Sequence, residues 1–219
     1  MKNKGKFLII TGLLLIAAAF FLTVYNLYDE VRARRSAMEI MACLETDDSA
    51  AIPTEPSAQL DAAEEGQVAT MEEAEIPDYL LNPDMEMPVE TINGLDCIGI
   101  LRITALELEL PVISEWSYPN LKTAPCRYTG SAYQDDLIIA AHNYNSYFGN
   151  LKNLREGDTA TLTDMDGNVF AYEMAELEIL QPTDIEGMDS GEWDMTLFTC
   201  TISGSSRVTA RFERVENNK

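Results

Sequence analysis

The chain has 219 residues, room for one domain or a small domain with appendages, and its 46% hydrophobic content is that of a globular protein. Its 37 acidic residues against 15 basic ones leave a formal net charge of -22. A balance this negative argues against nucleic acid or an anionic surface as a partner of the acidic part of the chain.

In chain order, Lys2, Lys4 and Lys6 precede an apolar run, residues 7–27, with no charge before Asp29. About 20 apolar residues cross a hydrocarbon core of ~30 Å as a helix. Tyr25 and Tyr28 fall where interfacial aromatic residues sit. No small-x-small cleavage site follows, and the run is longer than the apolar part of a signal peptide, so residues 1–28 are expected to be a cytoplasmic N-terminus and an uncleaved anchor. The three lysines favour a cytoplasmic N-terminus, whereas Arg32, Arg34 and Arg35, just past the span, oppose it.

Residues 29–88 are expected to form an acidic flexible tether. No Lys or Arg occurs in residues 36–101, and residues 50–88 are rich in Glu, Asp, Ala, Pro, Ser and Gln. Such a composition buries too little apolar surface to offset its conformational entropy, and its charges repel one another. Two stretches inside it stand out. Residues 32–44 read as a short helix continuing from the span, and residues 76–84 are apolar enough to pack on the domain that follows, with a lid over its active site as the alternative.

Residues 89–217 are read as the folded domain. Residues 96–103 and 106–113 alternate with the period of a strand, and residues 137–141, 159–162 and 169–179 follow between Gly and Asp turns such as 164–168. Residues 147–154 are the best candidate for a short helix. A final pair of strands, residues 195–202 and 208–215, is joined by Ser203-Gly204-Ser205-Ser206. Seven or eight short strands with little helix predict an all-β fold, a closed β-barrel with no exposed edge.

Cys43, Cys97, Cys126 and Cys200 show no metal-ligand spacing, there is one histidine, and neither a P-loop nor a dinucleotide fingerprint occurs, so no cofactor and no metal are expected. Cys97 and Cys126 are compatible with a disulfide or with two buried thiols. The last hairpin sets Cys200 near the end of one strand and Arg207 at the start of its neighbour. A nearby cation favours a thiolate, and a guanidinium can also hydrogen-bond a developing oxyanion. If a histidine assists this thiol, it is His142, which ends the run Asp136-Leu-Ile-Ile-Ala-Ala-His142.

These residues carry a resemblance. Thr196-Leu-Phe-Thr-Cys200 with Arg207 close behind, an upstream strand ending in Ala-His-Asn143, and the run 148–158 after it resemble the sortases, membrane-anchored cysteine transpeptidases of Gram-positive bacteria. Ala141 stands where the family often carries Gly. The resemblance covers residues 95–215 and implies a sortase-like barrel outside the membrane. It implies Cys200 as nucleophile, His142 as general acid and base, and Arg207 as oxyanion or substrate-backbone holder. Thr199, beside the nucleophile, is expected to position substrate or merely to pack. Arg211 shares a face with Arg207 in a regular strand and is the alternative catalytic arginine. The implied partners are sorting-motif peptides of secreted surface proteins and an amine acceptor from a peptidoglycan precursor, or a pilin lysine in a pilus-assembling enzyme. A tethered barrel used only for binding is the reading from another class.

Overall fold

The structure, a computed structural model, describes residues 2–48 and 76–215; residues 49–75 of the expected tether, Met1 and the last four residues lie outside the described residues. The strands are β1 (Glu90–Ile92), β2 (Leu95–Ile103), β3 (Leu108–Ile113), β4 (Cys126–Thr129), β5 (Leu137–Ala140), β6 (Thr159–Asp164), β7 (Val169–Leu180), β8 (Met195–Cys200) and β9 (Arg207–Arg214). They form one sheet in the order β1-β2-β3-β4-β5-β8-β9-β7-β6, and β2 pairs again with β6. That second pairing closes eight strands into a barrel and leaves β1 as a flap on β2.

Closure depends on a close approach. A bulge between Cys97 and Gly99 bends β2 where its pairing passes from β1 to β6 while β3 stays on its other side. A Cβ at Gly99 would stand 2.3 Å from the Thr163 carbonyl oxygen, so only glycine fits. The main core holds Ile98, Leu101, Ile103, Val112, Ile139, Leu162, Phe170, Leu197 and Phe212, all but sealed from solvent. Period-two alternation supplies it, as β6 illustrates with Ala160, Leu162 and Asp164 buried between half-exposed threonines. Asp164 is tolerated there because its carboxylate accepts from the Tyr133 hydroxyl at 2.7 Å and from the backbone amides of Asp166 and Asn168.

The first helix departs from the expected layout. α1 runs unbroken from Lys2 to Asp48. Its apolar residues from Phe7 to Leu27 are exposed and meet the length and composition of a membrane span. Past the span its character changes. Ala33, Ala37, Ile40, Met41 and Leu44 recur at helical spacing and are buried, packing with Ile92, Ile113 and Cys126 among others. Residues 29–48 are therefore a docked helix rather than flexible tether, since burying that stripe outweighs the entropy of ordering it.

Residues 76–84 also pack on the barrel. Tyr79, in the short helix α2 (Asp78–Leu81), stacks on Tyr133 with centroids 4.7 Å apart and tilts against Phe170. The expected helix at residues 147–154 is a single 3-10 turn, Leu151–Asn153, flanked by turns. Cys97 and Cys126 are buried free thiols. Ile40 tests the docking: Ile40→Ala should lower the unfolding free energy by roughly 2–5 kcal/mol, as for other buried aliphatic truncations. Chemical denaturation in detergent reads it, and a change below about 0.5 kcal/mol, the surface value, would return residues 29–48 to the tether.

Candidate active site

Three strand ends meet at one rim of the barrel, and β8 organises them. β5 lies parallel to β8 in the register Ala140↔Phe198, and β9 runs antiparallel on its other side in the register Cys200↔Arg207. Because β5 and β8 are parallel, both release their chains at the same end of the sheet. The Ala141 N–H donates to the Phe198 carbonyl at 3.2 Å and prolongs the pairing by one residue. His142 thus leaves the sheet beside Cys200, with Arg207 directly across from the thiol. Between Cys200 and Arg207 the chain turns through Thr201–Ser206, where the Gly204 N–H donates to the Thr201 carbonyl and Gly204 takes φ +70.

Of the two places expected for Thr199, the structure shows the packed one. It alternates away from Cys200, is 3% exposed, and its hydroxyl donates to the Ala141 carbonyl at 2.8 Å. It fastens the last peptide before His142 to the strand that carries Cys200. The signal was present in the sequence, since a Thr one residue from a strand-end Cys must point to the opposite face.

The two arginines separate by environment. Arg207 is half-buried and its guanidinium reaches only the Gly204 and Ser206 carbonyls of its own loop, at 3.4 and 3.3 Å. Arg211 is 1% exposed and uses four of its five N–H donors. It donates to the Glu178 carboxylate at 2.8 Å, to the Met188 carbonyl at 3.0 Å, to the Thr196 hydroxyl at 2.9 Å, and to the Gly187 carbonyl. Arg211 thus pins α4 (Ile185–Met188), in the β7–β8 connection, onto the barrel.

A groove of about 650 Å³ opens in front of these strands. His142, Cys200 and Arg207 line one part of it, Trp116, Tyr128 and Phe198 form an aromatic floor, and Ile185 and Met188 of α4 supply an apolar wall. The Tyr128 ring meets Phe198 edge-on at 5.4 Å and Trp116 at 6.1 Å. None of residues 76–84 lines this groove, which leaves the packing of that segment, not a lid, as what the structure describes.

His142 tilts against the Tyr144 ring, centroids 5.1 Å apart, and its Nε2 is buried with no hydrogen-bond partner among the described residues. Burial lowers its pKa below 6.5, the Lys122 cation lowers it further, and Asp29 of α1 opposes both. Neutral imidazole is thus favoured around pH 7, with Nε2 free to take a proton. Burial raises the Cys97 thiol to about 11 and the Cys126 thiol to about 12, so neither is a ready nucleophile.

With this geometry in hand, the chain was compared with known proteins. A model of the sortase domain matches residues 101–215, more than half of the chain. The chain belongs to the sortase family. Among solved structures, sortase A from Corynebacterium diphtheriae is 25% identical with a TM-score of 0.51, covering 65% of this chain and 70% of that one. A sortase D5 transpeptidase of Clostridium perfringens is 23% identical with a TM-score of 0.50, over 58% of this chain and 83% of the other. A Clostridium perfringens sortase C, solved with the C-terminal cell wall sorting motif, is 22% identical with a TM-score of 0.48, over 55% and 71%. The class letters of the first two differ, so the likeness gives the sortase fold and not a class. A comparison with curated proteins gave no match.

The lone histidine allows a direct check. Its ring protons in NMR should titrate with a midpoint below 6.5. Lys122→Gln should move the midpoint up and Asp29→Asn should move it down. A midpoint above 6.5 in the unsubstituted protein would contradict the desolvated environment described here.

Proposed function

We propose that this chain is a membrane-anchored sortase-type transpeptidase. In this reading it cleaves a C-terminal sorting motif of secreted proteins through a thioacyl intermediate on Cys200 and passes the acyl group to a cell-wall amine. The observation that carries the proposal is the register of β8, which gathers His142, Cys200 and Arg207 at one groove in a chain of the sortase family. Family membership brings the reaction class, since sortases are cysteine transpeptidases. The geometry supports the assignment of roles.

Cys200 Sγ, as thiolate, attacks the carbonyl carbon of the motif's Thr, and the oxygen takes the negative charge. The Arg207 guanidinium, which has only long contacts to its own loop to give up, turns to that oxygen or to the substrate backbone. As the C–N bond breaks, protonated His142 gives its proton to the departing amine, and the neutral imidazole then takes one from the incoming amine, whose nitrogen displaces Sγ. The low imidazole pKa suits the second half of this cycle, where His142 must act as a base near neutral pH.

The exposed apolar stretch of α1 supports anchoring through the N-terminal helix, with the barrel on the extracellular face. A sorting-motif peptide, extended, has its side chains met by the aromatic floor and by the α4 wall. The alternative acceptor, a pilin lysine, differs only in what enters second.

Intact-mass measurement of the full chain in detergent, incubated with a panel of sorting-motif peptides without acceptor, tests the reading. The expected result is an adduct of the motif's N-terminal fragment, absent in Cys200→Ala. Arg207→Ala should slow its formation by about 10²–10³, the usual cost of one oxyanion donor. Arg211→Ala should act through stability instead, by on the order of 3 kcal/mol, because it strands buried acceptors. No adduct with any peptide from a folded chain would favour a barrel that only binds.

A further inference from the structure

The imidazole at the rim is not aimed by a hydrogen bond. Among the described residues, no carboxylate or carbonyl bonds either ring nitrogen of His142. A histidine that works as acid and base is ordinarily held in one tautomer and one orientation by such a bond. Here the contact on the imidazole is an aromatic ring. Tyr144 meets it with centroids 5.1 Å apart and planes 44° from parallel, and Tyr147 meets Tyr144 at 5.7 Å and 49°. Both separations lie in the ~4.5–7 Å range of favourable ring pairs.

Tyr147 is a fixed base for this column. It is sealed from solvent, and its hydroxyl lies 2.7 Å from the Ala33 carbonyl oxygen and 2.5 Å from that of Thr123. Two separate elements, α1 and the connection between β3 and β4, thus hold one side chain. The backbone also closes around the middle ring. The Tyr147 and Gly149 N–H groups both donate to the Tyr144 carbonyl at 2.9 Å, and the Phe148 N–H donates to the His142 carbonyl at 3.3 Å. A Cβ at Gly149 would stand 2.6 Å from the Asn143 carbonyl oxygen and 2.8 Å from that of Tyr144, so the loop closes this tightly only with glycine there.

We propose that Tyr144 is the positioning residue of the catalytic histidine: ring packing on the Tyr147 base, in place of a hydrogen bond, aims the His142 imidazole at the groove. The proposal rests on the transpeptidase reading and adds to it a residue that does not line the groove. Packing suits that reaction. A carboxylate on one nitrogen would favour the imidazolium and fix a tautomer, whereas an aromatic neighbour occupies neither nitrogen. The ring keeps its aim while it gives a proton to the departing amine and while it takes one from the incoming amine. Lys122 and Asp29 act on the imidazole through their charges, and Cys200 and Arg207 share its groove. A substitution at Tyr144 leaves all four in place.

The test uses the full chain in detergent with 13C-labelled histidine, whose single signal belongs to His142. The ring order parameter should be that of a rigid group, about 0.85, and should fall below about 0.6 in Tyr144→Ala. With the panel peptide that gives the largest adduct, Tyr144→Ala should lower the maximal acylation rate about tenfold, part of the ~10²–10⁴ that a well-placed general acid supplies. Half-saturation should stay within about twofold, since ground-state binding is untouched. Tyr144→Phe, which keeps the ring, should restore both readouts, and Tyr144→Leu takes the place of Tyr144→Ala if the latter does not fold. An unchanged order parameter, an unchanged rate, or a Tyr144→Phe protein as impaired as Tyr144→Ala overturns the proposal and leaves the transpeptidase reading standing. No adduct from the unsubstituted chain with any peptide overturns that reading, and the catalytic role of Tyr144 falls with it.

Discussion

The meeting of His142, Cys200 and Arg207 at one rim follows from one structural fact: the strand that carries the thiol lies between two partners of opposite direction. β8 takes β5 parallel on one side and β9 antiparallel on the other. A parallel neighbour ends where β8 ends, and an antiparallel neighbour begins there, so a histidine from the first and an arginine from the second arrive at the same place as the cysteine. A slip of one residue in either pairing would turn the thiol to the opposite face. The register is held by the buried face of β8 and by the Thr199 hydroxyl on the Ala141 carbonyl.

The groove in front of that rim needs a wall that does not collapse, and Arg211 provides it at some cost. A buried guanidinium is expensive unless its donors are used, and here four contacts use them, including a carboxylate that stays partly in solvent. The gain is conformational: two carbonyls of α4 are tied to the barrel wall, which fixes Met188 and its neighbours at the groove edge. Arg207, four residues earlier on the same strand, is held only by long contacts and keeps its charge available. One strand thus supplies a structural and a mobile arginine, and burial separates them.

Most of the barrel was legible in the residues. β2, β3, β6, β7 and β9 carry period-two alternation, β5 and β8 read as short runs of strand-forming residues, and the structure reproduces them within a few residues. β4 was not legible, because Cys-Arg-Tyr-Thr is too short to show a period and makes a single bridge to β3. The docked half of α1 was hidden by charge: its acidic and basic residues suggested a solvated segment, yet Ala33, Ala37, Ile40, Met41 and Leu44 spell a helical stripe. Cys200, His142 and Arg207 were legible because each ends or begins a strand. The preference for Arg207 over Arg211 agrees with the groove lining. Thr199 was assigned by proximity in sequence, whereas strand alternation turns it inward.

His142 and Cys200 leave neighbouring strands at the same rim and line one groove, and alkylation tests that proximity most directly. The rate of iodoacetamide addition at Cys200, followed by peptide mass against pH with exposed Cys43 as internal reference, should change its profile when His142 is replaced by Ala. The Cys43 profile should stay as it is. Superimposable Cys200 profiles in the two proteins would mean that the imidazole does not face the thiol, and would contradict the site described here.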